Sequence, residues 1–329
     1  MQNQNPSPAT LVAGDVFNVL AGTKTPLQGY DKPWNTPLLK SPQVKPDYIW
    51  DVNKLKMMIA FFYSGNTSMK AIGETGTGKT EYVLQYHAAL NLPLFFIVAN
   101  PKMEAFQLLG REVPSPSGGG FVWRDGPLLA AARYGWSVLI DEYNVIDPGE
   151  ATGLNSFLEG RPYTIPDTGE TIVPAPGFRI FVTVNPNTFG YTGRQTQDIA
   201  NDDRFIDLKF DYPEPAVEQI LITNFLVNTF KQVQVEAEKV ASLVVNCANE
   251  IRNNFIGRSD KADALPFTMS RRGAMEWAKW TILSTSMAPK DNALFHALDV
   301  VLGNRQGEAE RIALHRIVEA HSGLKSDRV

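Results

Sequence analysis

The segment Gly73-Glu74-Thr75-Gly76-Thr77-Gly78-Lys79-Thr80 constrains this chain more than any other, because it sets three glycines and a lysine ahead of a run, "EYVLQYHAAL", that reads as a helix. Glycines let the backbone turn tightly, so that several N–H groups point inward, and the following helix adds the positive end of its dipole. Both features suit phosphate oxygens. In such a loop Lys79 reaches the β- and γ-phosphates of a nucleotide and the Thr80 hydroxyl binds Mg²⁺. The competing reading is an ordinary glycine-rich turn before a helix. The strand expected before the loop, "SMKAI", is only weakly apolar, so the choice rests on residues further along.

Well downstream, Asp141 and Glu142 end the apolar strand "SVLIDE". A carboxylate at a strand tip beside a phosphate loop can hold the water shell of a metal, and the next one can polarise an attacking water. A third apolar strand, "FRIFVTVN", ends in Asn185, a neutral donor and acceptor suited to orienting that water. Two arginine sites come after it. Arg204 sits in "NDDRFIDLKF", where it is either a surface ion pair or a cation aimed at charge building up in a transition state. Arg271 and Arg272 begin a helical segment, "SRRGAMEWAKWTIL".

Organisation agrees with a nucleotide-handling α/β unit. Residues 1–46 hold seven prolines between Pro6 and Pro46 without sustained periodicity and read as an irregular extension. Residues 47–213 alternate short apolar strands with helical segments, as in a mostly parallel sheet covered by helices. Within them, "YTIPDTGETIVP" has two extended arms around a glycine-containing turn and reads as a β-hairpin. Residues 214–329 are helical throughout, with spacing near 3.6, and read as a separate domain. At 329 residues and 43% hydrophobic content the chain is long enough for more than one domain.

Composition narrows the partners. The net charge of -4 gives no overall pull toward nucleic acid or anionic membrane. No apolar run approaches the ~18 residues of a membrane span, and the first residues lack the pattern of a secretory signal. Cys247 is the only cysteine, so no internal disulfide can form and a reducing cytoplasm fits best. The four histidines are scattered without metal-ligand spacing.

Taken together and in order, these motifs resemble those of AAA+ ATPases over roughly residues 48 to 320. "GETGTGKT" resembles the Walker A loop, "VLIDEY" the Walker B strand, "VTVNPN" sensor 1, "NDDRF" the arginine-finger segment and "MSRRGAMEWA" the sensor 2 helix. The hairpin before "FRIFVTVN" and the segment "LLGREVPSPSGGGFVWRDGPLLAAARYG" resemble the pre-sensor 1 hairpin and helix 2 insert of the MoxR and dynein-related branch. Within that branch, "DEYNVIDPGEATGLNSFLEG" and "TQDIANDDRFIDLKFDYPE" are most similar to the CobS-like ATPase subunit of aerobic cobaltochelatase.

The resemblance implies ATP and Mg²⁺ as cofactors, a P-loop core followed by a helical lid, and a role for each motif residue. Gly73 to Thr80 would bind the nucleotide, Thr80 and Asp141 the metal, and Arg272 would be the sensor 2 arginine. Glu142 would be the catalytic base, Asn185 sensor 1, and Arg204 a finger acting on a neighbour's nucleotide. It further implies a hexameric ring and a partner with a von Willebrand A domain. Two other functions stay open: a nucleic-acid-associated motor of a phage, mobile-element or restriction system, and a nucleotide-gated scaffold. Against the first stands the absence of lysine or arginine between Val113 and Val122 in the insert.

Overall fold

The computed structural model describes residues 5–36, 39–46, 48–116, 118–185, 203–231, 234–255, 264–285 and 293–329. The chain divides into two compact units. One comprises Met1–Gly73, Gly78–Pro186 and Gly193–Phe210, and the other Glu74–Thr77, Asn187–Thr192 and Asp211–Val329.

The first unit holds eleven strands among its described residues: β1 (Pro8–Val12), β2 (Pro26–Tyr30), β3 (Ser68–Ile72), β4 (Leu94–Val98), β5 (Gly110–Pro114), β6 (Phe121–Asp125), β7 (Ser137–Asp141), β8 (Tyr163–Thr164), β9 (Thr171–Ile172), β10 (Arg179–Val184) and β11 (Ile206–Lys209). Five of them form a sheet in the order β11-β3-β10-β7-β4, with every pairing parallel. Side chains alternate between its faces. Leu139 and Phe181 point toward Leu55, Met58 and Phe61 of the helix Val52–Ser64 and toward Tyr82, Val83 and Tyr86 of the helix Lys79–Ala89. Val138, Ile140, Ile180 and Val182 meet Leu128, Leu129 and Ala132 of the helix Pro127–Tyr134 on the other face. Each fully buried aliphatic or aromatic side chain stabilises by roughly 1.5–3 kcal/mol, and both faces are buried, so the strands read as apolar runs. This is the α/β architecture expected from the sequence.

The weakly apolar β3 is nevertheless buried. Lys70 lies 3.4 Å from Asp207 on β11 and 5.6 Å from the Phe205 ring centroid, and the Ser68 hydroxyl donates to the Leu158 carbonyl at 2.6 Å. Polar partners thus replace what apolar side chains do on β7 and β10. On the same layer, burial holds His87 neutral by pushing its pKa down to about 4, while its Nδ1 lies 2.8 Å from the Val83 carbonyl. His87 is a packing residue.

The N-terminal segment differs from the irregular extension read from its prolines. β1 and β2 pair along their full length, from Pro8 opposite Tyr30 to Val12 opposite Pro26. Each proline opens its strand, a position where a missing N–H costs the ladder least. Between the strands, Ala13, Phe17 and Leu20 enter the core, with Phe17 stacked on Tyr86 at 5.8 Å. A second hairpin also escaped the sequence reading: β5 and β6 pair antiparallel, and Ser115 N–H donates to the Gly120 carbonyl at 2.9 Å between them. The expected hairpin is present as β8–β9, turning at Gly169 with φ +71°.

The second unit is built from the helices Pro215–Phe230, Gln234–Asn253, Arg271–Ser284, Ala293–Val301 and Glu308–Ser322. Their apolar faces share one core that includes Leu226, Val244, Ala248, Trp277, Leu298 and Leu314. Cys247 lies in it, and burial pushes its thiol up to about 12, which keeps it protonated. A buried ion pair crosses this core: Arg252 Nη1 and Nη2 meet Glu218 Oε2 and Oε1 at 2.7 and 2.8 Å, and Arg252 Nε donates to the Met269 carbonyl at 2.7 Å. Removing one partner of such a pair leaves the other charge buried and unmatched. Glu218→Ala is therefore expected to lower unfolding free energy by about 3–5 kcal/mol in urea titrations. A loss below about 1 kcal/mol would mean that the pair behaves like an exposed one. No helix among the described residues is long and apolar enough to cross a membrane.

Candidate active site

In a parallel sheet all strands end on the same edge, so β3, β7 and β10 bring their succeeding residues to one place. Ile72 lies opposite Val184 and Ile140 opposite Val182. The loop from Gly73, the pair Asp141–Glu142 and Asn185 emerge side by side.

The loop begins in close quarters. Gly73 N–H donates to the Val184 carbonyl at 3.2 Å, and a Cβ on Gly73 would lie 2.3 Å from the Phe210 carbonyl oxygen, so only glycine fits. Gly78 has φ +96° and caps the helix that starts at Lys79. Between them, the Thr77 hydroxyl donates to the Glu74 carbonyl at 2.9 Å. Glu74–Thr77 group with the second unit, where the Tyr212 hydroxyl donates to the Thr75 carbonyl at 3.2 Å and a Cβ on Gly76 would lie 2.5 Å from the Ser270 Cβ.

Lys79 is 7% exposed, and its ammonium donates to the Gly73 carbonyl at 2.7 Å and to Asn185 Oδ1 at 2.8 Å. The Thr80 hydroxyl donates to Asp141 Oδ1 at 2.6 Å. These contacts bring Gly73, Lys79, Thr80, Asp141 and Asn185 together. Glu142 comes next in the chain with φ 58° and ψ 38°, a left-handed conformation that is uncommon outside glycine, and its side chain is exposed. The donor set suits a magnesium nucleotide: a nearly buried cation held by neutral oxygens, and a hydroxyl already paired with a carboxylate.

Arg204 is elsewhere. It precedes β11, and its backbone carbonyl lies 2.8 Å from the Ser68 hydroxyl at the start of β3. Roughly 16 Å of strand, at about 3.3 Å per residue, separates Ser68 from Gly73. The Arg204 side chain pairs instead with Glu159, Nε to Oε1 at 2.7 Å, with both groups about a quarter exposed at 24%. Of its neighbours in "NDDRF", Asn201 and Asp202 lie outside the described residues. Arg272 is exposed in the first turn of the helix Arg271–Ser284, whose cap, Ser270, accepts from Gly273 N–H at 2.9 Å.

Three residues of this region escaped the sequence reading. Thr183 contacts both Asp141 and Glu142, and Asn144 Nδ2 donates to the Asn185 carbonyl at 3.1 Å. Tyr143 is fully buried against Phe205 at 5.9 Å, and burial pushes its phenol well above its ordinary value. A threonine inside a strand and a Tyr-Asn pair after one look like routine strand and turn residues, and no local signal marks them.

Comparison with known proteins agrees with this geometry. The family described as the AAA domain of the dynein-related subfamily matches residues 71–205. The denitrification regulatory protein NirQ of Stutzerimonas stutzeri is 32% identical over 174 residues, covering 52% of this chain and 59% of NirQ. Protein NorQ of Paracoccus denitrificans is 36% identical over 148 residues, covering 44% of this chain and 53% of NorQ. Midasin of Giardia intestinalis is 33% identical over 152 residues, covering 46% of this chain and 3% of midasin. The chain thus spans little more than half the length of the two bacterial relatives. An AAA domain implies nucleotide binding and, in general, hydrolysis. The matched segment contains the loop, both carboxylates, Asn185 and Arg204, and the α/β fold around it is consistent with the AAA+ fold.

Proposed function

We propose that this chain is an ATP-hydrolysing, ring-forming motor that remodels or activates a partner complex, and that neighbouring subunits complete each other's sites. One observation carries the reading: Lys79, Thr80, Asp141 and Asn185 converge at one end of the sheet, while Arg204 sits at the other end of β3. An arginine there cannot serve the nucleotide of its own subunit. On a ring surface it can serve the next one.

Each residue then has a task. Lys79 neutralises the β- and γ-phosphates as charge shifts toward the leaving group. Thr80 and Asp141 would hold Mg²⁺, which when bound neutralises phosphate oxygens and fixes their geometry. Glu142 takes the proton of the attacking water, and Asn185 orients that water once the nucleotide has drawn Lys79 away. Arg272, on the helix Arg271–Ser284, is the proposed sensor 2 cation. The two hairpins are the outlets for force. Arg133 joins them, with Nε on Asp125 of β6 at 2.8 Å and Nη1 on Glu170 of the β8–β9 turn at 2.5 Å. A von Willebrand A domain protein is the proposed partner, and kinship with the cobaltochelatase ATPase subunit belongs to the same proposal. The description of NirQ as a denitrification regulatory protein supports a role exerted on another complex.

A second reading has one observation in its favour. Arg111 and Arg124 stand directly opposite each other at the base of the β5–β6 hairpin, both exposed, a like-charge pair that an anionic backbone would relieve. Mass photometry of Glu142→Gln with and without Mg·ATP separates the readings when phosphate release by the wild type is followed in parallel. The motor reading expects a six-subunit mass with Mg·ATP and slow wild-type turnover that DNA and RNA leave unchanged. Stimulation by nucleic acid that fades as salt rises would favour the second reading. A monomer that turns over ATP at full rate would overturn the ring.

A further inference from the structure

We propose that Thr183 is a positioning residue for hydrolysis, setting both carboxylate residues at the tip of β7 through one hydroxyl. The inference rests on the ATPase reading of the site. Thr183 is 2% exposed, and its Oγ1 donates to Asp141 Oδ1 at 2.5 Å while accepting from the Glu142 N–H at 2.9 Å. A hydroxyl has one donor and two acceptor lone pairs, so both bonds form together.

The strand geometry explains why a side chain is needed there. The ladder between β10 and β7 ends with Val182 opposite Ile140. The chain then turns at Glu142 into a left-handed conformation. Ladder bonding cannot continue through that turn, and the Thr183 hydroxyl takes up the Glu142 N–H in its place. Thr183 lies on β10 and Asn185 follows its last residue, Val184, so the two stand two positions apart at the end of one strand. Asn185 accepts from Lys79 and Thr183 donates to Asp141, so the end of one strand sets both the loop lysine and the metal-side carboxylate.

Asp141 Oδ1 also accepts from the Thr80 hydroxyl at 2.6 Å. Two hydroxyls, one on β10 and one in the first turn of the helix Lys79–Ala89, therefore fix one oxygen of this carboxylate, which sets the direction of the other. A charged acceptor makes both bonds short and strong. The β-branch of threonine restricts its χ1, so the hydroxyl is held in place before any ligand arrives. In the same turn, the buried Asn144 ties to the Asn185 backbone, which closes the link between the two strand ends.

The test compares Thr183→Val, which keeps shape and loses the hydroxyl, with Thr183→Ser, which keeps the hydroxyl. Loss of a supporting group of this kind costs about 10- to 100-fold in activity, so Thr183→Val is expected to lower kcat by that factor with KM for ATP within about threefold. Thr183→Ser is expected to stay within about threefold of wild type. A readout independent of turnover is amide hydrogen exchange in the nucleotide-free protein: the segment 140–146 exchanges faster in Thr183→Val and as in wild type in Thr183→Ser. Should Thr183→Val fail to fold, Thr183→Ser decides alone, and a tenfold drop in its kcat with faster exchange at 140–146 overturns the proposal. Wild-type kcat and exchange in Thr183→Val overturn it as well. A wild-type protein that releases no phosphate from ATP in any assembly overturns the ATPase reading, and this inference with it.

Discussion

Arg204→Ala is expected to bind ATP as the wild type does and to release phosphate about 10³- to 10⁵-fold more slowly, the range set by arginine fingers supplied in trans. Binding is spared because Arg204 lies beside Ser68, at the far end of β3 from Gly73, and its Nε pairs with Glu159. Hydrolysis suffers because the site assembled from Lys79, Thr80, Asp141 and Asn185 places one cation at the phosphates from within the first unit. Charge spreading over the equatorial oxygens in the transition state needs another. In an isolated subunit Arg204 is held by Glu159, so in the proposed ring it would exchange that carboxylate for the neighbour's phosphate. Both groups stay about a quarter exposed, so the exchange replaces one partly solvated ion pair with another. The measurement is ATP affinity by fluorescent-nucleotide titration beside phosphate release at matched concentration. Wild-type turnover by Arg204→Ala would return this arginine to the role of a surface ion pair.

The second large effect separates binding from chemistry. Lys79→Ala removes a nearly buried cation and is expected to cost at least about 10²- to 10³-fold in both nucleotide affinity and turnover, as loss of a preorganised charge in a shielded site does. It also frees Asn185 Oδ1 from its partner. Glu142→Gln should leave affinity intact and lower turnover by about 10²- to 10⁴-fold, the worth of a positioned general base. The Glu142 side chain is exposed and, among the described residues, the bonds that fix Lys79 and Thr80 go to Gly73, Asn185 and Asp141, which is why its loss spares binding. Equal loss of affinity in both variants would contradict the division of labour between them.

The two variants also mark what the sequence made legible. Lys79, Thr80, Asp141 and Asn185 were readable because glycine spacing, a strand tip and a strand end are local patterns, and a parallel sheet then converts local position into proximity. The strands themselves were readable because both faces are buried and their residues form apolar runs. What escaped was whatever depended on partners distant in the chain. β3 is polar by composition and buried only because Lys70 finds Asp207 and Ser68 finds Leu158. The β1–β2 hairpin hid behind its prolines, which open strands rather than break them. The β5–β6 hairpin lay in arms of five residues with no buried face to impose an alternating pattern. Thr183 looked like any strand-forming threonine, since its two partners are about forty positions away, at the tip of β7 and in the turn after it. Glu159, which decides where Arg204 points in the isolated chain, had no signal at all.

The measurement that tests the shared-site account most directly mixes two inactive proteins. Lys79→Ala lacks the loop cation but keeps Arg204, and Arg204→Ala lacks the finger but keeps an intact loop. At fixed total concentration, a titration of one into the other should restore phosphate release along a curve that peaks at intermediate ratios, because mixed rings then contain whole sites formed by two damaged subunits. If every mixture stays at the level of the separate variants while mass photometry reports mixed assemblies, hydrolysis is not completed across subunits and the account fails.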